Sequence, residues 1–204
     1  HKLPSMASNK SSALKIGDLI ELTIEKVAHG GHFIARHEGA VIFVRHAIPG
    51  EKCTIEITST GSSFNRADVV AVTEPSEFRV EPPCKYSHRT GCGGCDFQHI
   101  DSAHQRTLKS HVITEQFSRI AKKEISVEVE EVGQSLGWRT RAIGTTNRNG
   151  KLGFYKSRSH SIAPVDNCLI CVEGMNFSEI SSRELKGDVR VEISASTTGE
   201  RSIA

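Results

Sequence analysis

Three cysteines fall within twelve residues in the run Pro83-Cys84-Lys85-Tyr86-Ser87-His88-Arg89-Thr90-Gly91-Cys92-Gly93-Gly94-Cys95. So many thiols in one loop cannot each find a separate apolar pocket, so they are read first as ligands of a shared inorganic centre. Gly93 and Gly94 suit that reading, because residues without a Cβ let the backbone wrap a bulky core and turn N–H groups toward sulfur. A fourth ligand is needed, and the candidates are Cys168 and Cys171. Cys53 lies in an alternating apolar run and reads as a buried strand thiol. Zinc held by Cys92-x-x-Cys95 and Cys168-x-x-Cys171 is the competing arrangement. Its 72 intervening residues far exceed the roughly 15–20 of a zinc ribbon, and it leaves Cys84 idle. Spacing therefore places an iron-sulfur cluster ahead of zinc.

Six cysteines used as ligands or buried thiols imply a reducing compartment. No apolar run approaches the roughly 18 residues of a membrane helix, and no signal peptide opens the chain, so the expectation is a cytoplasmic protein with no membrane partner. His1 to Ser5 read as a cloning remnant ahead of Met6, and residues 1–13 as a disordered leader. With 204 residues, 37% of them hydrophobic, the chain can build two small units.

From Leu14 to Thr73 apolar and polar residues alternate in five short runs, at Leu19–Ile24, His32–Ala35, Val41–Val44, Cys53–Thr58 and Asp68–Val72, with a hairpin turn at Glu38-Gly39. That pattern predicts a five-stranded OB-like barrel over 14–73. Pro75, Pro82 and Pro83 mark a linker over 74–83. A second unit over 84–204 is expected to be a small α+β domain. Its helix is capped by Asp101 and runs to about Ala121 with Leu108, Val112, Ile113, Phe117 and Ile120 near one face. An edge strand follows at Ile125–Glu130, then an antiparallel meander near 139–146, 152–155 and 161–165, and a last strand at 189–193.

The spacing Cys84-x7-Cys92-Gly-Gly-Cys95, then Gln98-His99 and a distant Asp166-Asn167-Cys168, resembles the TRAM-containing, iron-sulfur class of RNA uracil-5-methyltransferases. Gly30-Gly31, Gly39 to Val44 and Ile48-Pro49-Gly50-Glu51 are similar to that family's TRAM barrel, and Trp138-Arg139-Thr140-Arg141 with Leu152-Gly153-Phe154-Tyr155 to its central domain. The resemblance implies a [4Fe-4S] cluster with Cys168 as the fourth ligand beside Cys84, Cys92 and Cys95, leaving Cys171 as an extra thiol. It also implies S-adenosylmethionine as methyl donor in the full-length parent. The glycine-rich segment, the nucleophilic cysteine and the general base of that family find no match. The expectation is therefore that no catalytic residue lies in this chain, that a C-terminal Rossmann-like methyltransferase domain is missing, and that the chain alone transfers no methyl group.

Net charge is only +2, so a nucleic-acid signal must be local. Between Arg139 and Val165 there are six basic residues and no acidic one, interleaved with aromatics, a mixture that suits phosphates and unpaired bases. Arg139, Arg141, Lys156 and Arg158 are candidate RNA contacts there, with Arg36, Arg45, Lys52 and Arg66 in the barrel. Trp138 and Phe154 read as core. RNA is the expected partner, ribosomal favoured over transfer RNA. The competing readings are a stand-alone RNA-binding or redox-sensing iron-sulfur protein and a structural zinc protein. No heptad or apolar stripe indicates an oligomer.

Overall fold

The computed structural model describes residues 14–204. Its first sheet contains β1 (Leu19–Thr23), β2 (Lys26–Ala28), β3 (His32–His37), β4 (Ala40–Arg45), β5 (Lys52–Ser59) and β6 (Asn65–Glu74). The order is β1-β5-β6-β4-β3-β2, antiparallel except for the parallel β4–β6 pair. β1 and β2 stand at opposite ends of this order, yet only Ile24 and Glu25 separate them in the chain. The sheet must therefore curl until its ends meet. At the break, Ile24 donates its N–H to the Glu51 carbonyl at 2.9 Å and Glu25 donates to Ile34 at 2.8 Å, so one apolar run changes partner from β5 to β3. The Glu38-Gly39 turn forms as expected, both residues at positive φ (47° and 84°) as a tight hairpin demands.

Strand alternation buries Phe33, Ile42, Val44, Cys53, Ile55 and Ile57 completely, and Ile100 and Leu108 join the same core. Helix α1 (Ser102–Gln116) thus packs on the curled sheet. Asp101 caps it by accepting N–H groups of Ala103 and His104 at 2.9 and 3.1 Å. The helical segment ends at Ala121 as expected, but from Phe117 its last turn widens into a π turn, closed by Lys122 at φ 55°. That widening swings Phe117 and Ile120 outward, to 44% and 70% exposure. Ile125–Glu130 alternates but forms no strand, because no sheet edge offers it backbone partners; Val129 is tied to the Ser110 hydroxyl instead.

The second sheet contains β7 (Arg141–Thr146), β8 (Leu152–Tyr155), β9 (Ile162–Pro164), β10 (Arg190–Ala195) and β11 (Arg201–Ile203) in the order β11-β10-β7-β8-β9, all antiparallel. Its core holds Leu152, Met175, Phe177, Ile180 and Ile193, with the short helix α2 (Phe177–Ser181) against it. The expected fold class is corrected on two counts. The first sheet has six hydrogen-bonded segments rather than five, because the chain beyond the first run, at Lys26–Ala28, forms a further short strand on β3. The second unit is a β-sheet with one short helix rather than α+β, because the only long helix among the described residues belongs to the first core. No helix among them is long and apolar enough to cross a membrane.

The segment after β6 is docked rather than free. The Glu51 side chain, fully buried, accepts N–H groups from Ile48 (2.8 Å) and Ser76 (3.1 Å) and a two-pronged contact from Arg79, with Nε and Nη2 each at 2.6 Å. Arg79 Nη2 also donates to the His46 carbonyl at 2.8 Å. Residues 78–80 pair with 99–101, through Val80 to the His99 carbonyl and Asp101 to the Phe78 carbonyl. Above them, buried His99 donates Nε2–H to the Ala47 carbonyl at 2.9 Å, its ring 5.8 Å from that of His46. Burial, reinforced by neighbouring arginines, pushes His46 down to about 3 and His99 down to about 4.

Two outcomes are expected. Arg79→Ala strands a buried carboxylate and should lower unfolding free energy by about 3–5 kcal/mol, read from urea titrations. Both histidines remain neutral when folded but protonate near 6.5 when unfolded, so the unfolded state binds more protons below pH 6.5 and stability falls from there toward about pH 4. The loss should reach on the order of 2 kcal/mol per histidine at pH 5, with a shallower pH slope in His99→Gln.

Candidate functional site

The cysteine loop is pinned from several sides. Ser87 donates its N–H to the Cys84 carbonyl (2.9 Å) and Cys92 to the Tyr86 carbonyl (3.0 Å), folding the loop on itself. Lys85 pairs with Asp166 at 2.6 Å, and the Tyr86 hydroxyl accepts the Asp166 N–H at 3.0 Å, which brings the segment containing Cys168 alongside. Gly93 donates to the Tyr155 carbonyl at 3.0 Å, and a Cβ placed on it would lie 2.5 Å from the Ser157 nitrogen, so only glycine allows this approach. On its other side the loop reaches the curled sheet. Asp96 accepts Arg45 Nη2 at 3.1 Å, and buried Arg45 also faces Asp68 at 3.9 Å.

Cys84, Cys92, Cys95 and Cys168 line one pocket, walled by Phe154, Val165, Leu169 and Ile170. Cys171 is buried in the second core. Burial raises the Cys92 and Cys95 thiols, opposed at Cys92 by the Gly94 N–H, 3.4 Å from sulfur, and at Cys95 by the Gln98 side chain. Cys168 moves the other way: the Cys171 thiol donates to it, helped by backbone N–H groups of Ile170 and Cys171 and by Arg139, so it is the sulfur most disposed to be a thiolate. Among the described residues no three His, Cys, Asp or Glu side chains are gathered as one metal ion would require. Cys53 is a core thiol pushed up to about 12, first by burial and then by Glu51.

The eight basic candidates separate into two sets. Arg36 pairs with Glu25, Lys52 with Glu21 at 3.0 Å, Arg141 with Glu192 at 2.5 Å, and Arg45 is buried between Asp68 and Asp96. Arg66, Arg139, Lys156 and Arg158 form no ion pair among the described residues. Arg139 stacks over Trp138 at 5.3 Å. Trp138, read as core, is 55% exposed and lies before the second sheet begins at Arg141; Phe154 does pack inward, stacked on Phe177 at 5.5 Å.

Two residues act on the thiols in ways the sequence did not indicate: Gln98, which entered only as part of the family motif, and Arg139, read as an RNA contact. Gln98 accepts the Cys84 N–H at 3.2 Å while also bonding Cys95, and Arg139 favours the ionised form of Cys95 and Cys168. The adjacency of Gln98 to Cys95 was the available signal; for Arg139, more than forty residues away, none was.

Residues 13–70 match the TRAM domain family. An uncharacterized RNA methyltransferase of Streptomyces coelicolor is 39% identical over 197 residues, covering 89% of this chain and 43% of that protein. The 23S rRNA (uracil(1939)-C(5))-methyltransferase of Thiobacillus denitrificans is 37% identical over 165 residues, covering 78% of this chain and 38% of that one. In fold, the chain is similar to the Pyrococcus abyssi tRNA (uracil-54, C5)-methyltransferase solved in complex with S-adenosyl-L-homocysteine, with a TM-score of 0.56, 16% identity, and coverage of 89% of this chain and 44% of that one. The chain carries a TRAM domain and spans less than half the length of these relatives, which are named as RNA methyltransferases. The fold match takes in 89% of the chain, whose described residues form two sheets. Defining the fold class by a missing Rossmann-like domain is therefore withdrawn.

With metal chelated, a thiol-alkylating reagent should label Cys84, Cys92, Cys95 and Cys168 well before Cys53 and Cys171 in the folded chain, and all six after unfolding. Peptide mass spectrometry reads the order; early labelling of Cys171 would contradict the burial described above.

Proposed function

We propose that this chain is the RNA-holding, iron-sulfur-binding portion of an RNA uracil-5-methyltransferase that uses S-adenosylmethionine, with ribosomal RNA favoured over transfer RNA. The observation carrying the reading is the single pocket shared by Cys84, Cys92, Cys95 and Cys168 in a chain whose residues 13–70 match the TRAM domain. The donor set fits a [4Fe-4S] group: four sulfurs, apolar walls, and a glycine pair where backbone must pass close. A cube-shaped cluster attaches each thiolate at a separate corner, so its ligands surround a volume instead of converging on a point. Four cysteines around one pocket support that reading. When bound, the cluster would supply a covalent cross-link between the 84–95 loop and the 166–168 segment, a staple that stabilises by closing a long loop.

Ribosomal preference draws support from the 37% identical relative named for 23S rRNA, against 16% identity to the solved transfer-RNA enzyme. S-adenosylmethionine would supply the methyl group; what this chain's residues contribute is positioning. Arg66, Arg139, Lys156 and Arg158, free of carboxylate partners, are carried forward as phosphate contacts, whereas Arg45 serves the interior. The division into a TRAM unit (14–73), a linker (74–83) and a cluster-bearing unit (84–204) belongs to the same proposal, as does a cytoplasmic location, where thiols stay reduced; the leader expected over 1–13 lies outside the described residues.

Metal and sulfide analysis of anaerobically purified chain tests the reading. About four irons and four sulfides, with broad absorption near roughly 400 nm, are expected, lost in Cys168→Ser and retained in Cys171→Ser. One zinc per chain without colour would overturn the cluster and promote the paired Cys-x-x-Cys site.

A further inference from the structure

A cleft of about 560 Å³ opens between β6 and the turn that joins β8 to β9, within the roughly 300–1,000 Å³ of small-ligand sites. It is lined from the curled sheet by His32, Phe43 and Arg66, and from the second sheet by Ser157 and Arg158. We propose that it is a site for one unpaired nucleotide of RNA, the phosphate held between Arg66 and Arg158 and the base laid against Phe64 and Phe43. The proposal rests on the RNA-holding function above and names where on the surface it is exercised.

The charge argument comes first. Three guanidiniums line the cleft; Arg45 is paired with Asp68 and Asp96, whereas Arg66 and Arg158 have no carboxylate partner among the described residues. The acid on its wall, Asp68, already faces Arg45. Arg66 is held less basic than usual by burial and then by the nearby charge of Arg158. Like charges left unneutralised cost free energy that a bound anion removes, and a phosphate offers oxygens to both guanidinium forks at once.

Orientation is the second argument. The Arg66 guanidinium lies 5.0 Å from the centre of the Phe64 ring and 5.8 Å from that of Phe43, and the two rings meet edge to face at 5.2 Å. Its Nη1 is 3.5 Å from His32 Nε2. His32 Nδ1 sits 2.8 Å from the Gly30 carbonyl and so carries the proton, leaving Nε2 to accept. A guanidinium fixed by neutral contacts loses little further freedom when an anion arrives. Phe64 remains 40% exposed beside it, an apolar face of the kind on which an unstacked base lies. A base inside a duplex has no free face, which is why the occupant is unpaired.

The cleft also depends on the cysteine loop. Arg158 stands at φ 50°, a strained backbone for a residue with a side chain, in the turn that Gly93 holds through Tyr155 and by its contact with Ser157. The loop that gathers the thiols therefore carries the second arginine to its place opposite the first.

The test measures fluorescence anisotropy of the full chain with a labelled single-stranded RNA of about ten nucleotides and with a duplex of equal length, across a salt series. Variants are Arg158→Asn, which tolerates the turn, Arg66→Gln and Phe64→Ser, each checked by circular dichroism. Single-strand affinity should fall about tenfold or more in Phe64→Ser without change in salt slope, and in Arg158→Asn with a slope reduced by about one. Arg66→Gln should resemble Arg158→Asn. Wild-type binding that all three folded variants retain, or equal affinity for the duplex, would overturn the nucleotide site and leave the RNA-holding function standing. No binding of either RNA by the wild-type chain would bring down both.

Discussion

The buried carboxylate of Glu51 is the interaction on which the arrangement depends. It follows the Pro49-Gly50 turn that leads into β5, fully removed from water, and answers to Ile48, Ser76 and both prongs of Arg79. A charge taken from water to that depth is tolerable only when its oxygens are saturated with donors. Three of its four contacts come from the segment beyond β6, so the chain leaving the curled sheet is fastened back onto it before the cysteine loop begins. The pairing of residues 78–80 with 99–101 extends the same tie to the start of α1, which explains why Ile100 and Leu108 belong to the first core.

From there the cysteine loop works as a bridge. Asp96 binds Arg45, which is held in turn by Asp68 on β6. Gly93 meets the β8–β9 turn, and Tyr86 and Lys85 hold Asp166 next to Cys168. Polar contacts of the loop thus bring thiols contributed by segments more than seventy residues apart to one pocket. Each contact contributes modestly, about 1 kcal/mol for an ordinary hydrogen bond. Their convergence is what defines the geometry. A centre bound to the four sulfurs would lock the same arrangement covalently.

This bridging role links the two sites. The residues that approach the thiol pocket on one side, Gly93 and the turn at Ser157, deliver Arg158 to the cleft on the other. Arg45 illustrates the opposite lesson. A basic residue on a strand reads as an RNA contact until its two aspartates are known, one on β6 and one after Cys95.

Local chemistry made much of this chain legible in advance. The density of Cys84, Cys92 and Cys95 with Gly93-Gly94 marked the loop whose thiols share one pocket, alternation marked four of the six strands of the first sheet closely and the meander of the second, Asp101 marked a helix start, and Glu38-Gly39 a hairpin. These signals are short-range: a cap, a turn or a period of two is written in neighbouring residues. Tertiary structure decided what depends on partners distant in sequence. It added β2 directly after the first run, because closure of the sheet requires a change of neighbour at Ile24–Glu25. It denied Ile125–Glu130 an edge to pair with, ended α1 in a π turn, and added β11. It also drew Cys168 into the pocket and Cys171 into the core three residues away, since burial of a side chain depends on the direction in which its backbone is held by the rest of the fold.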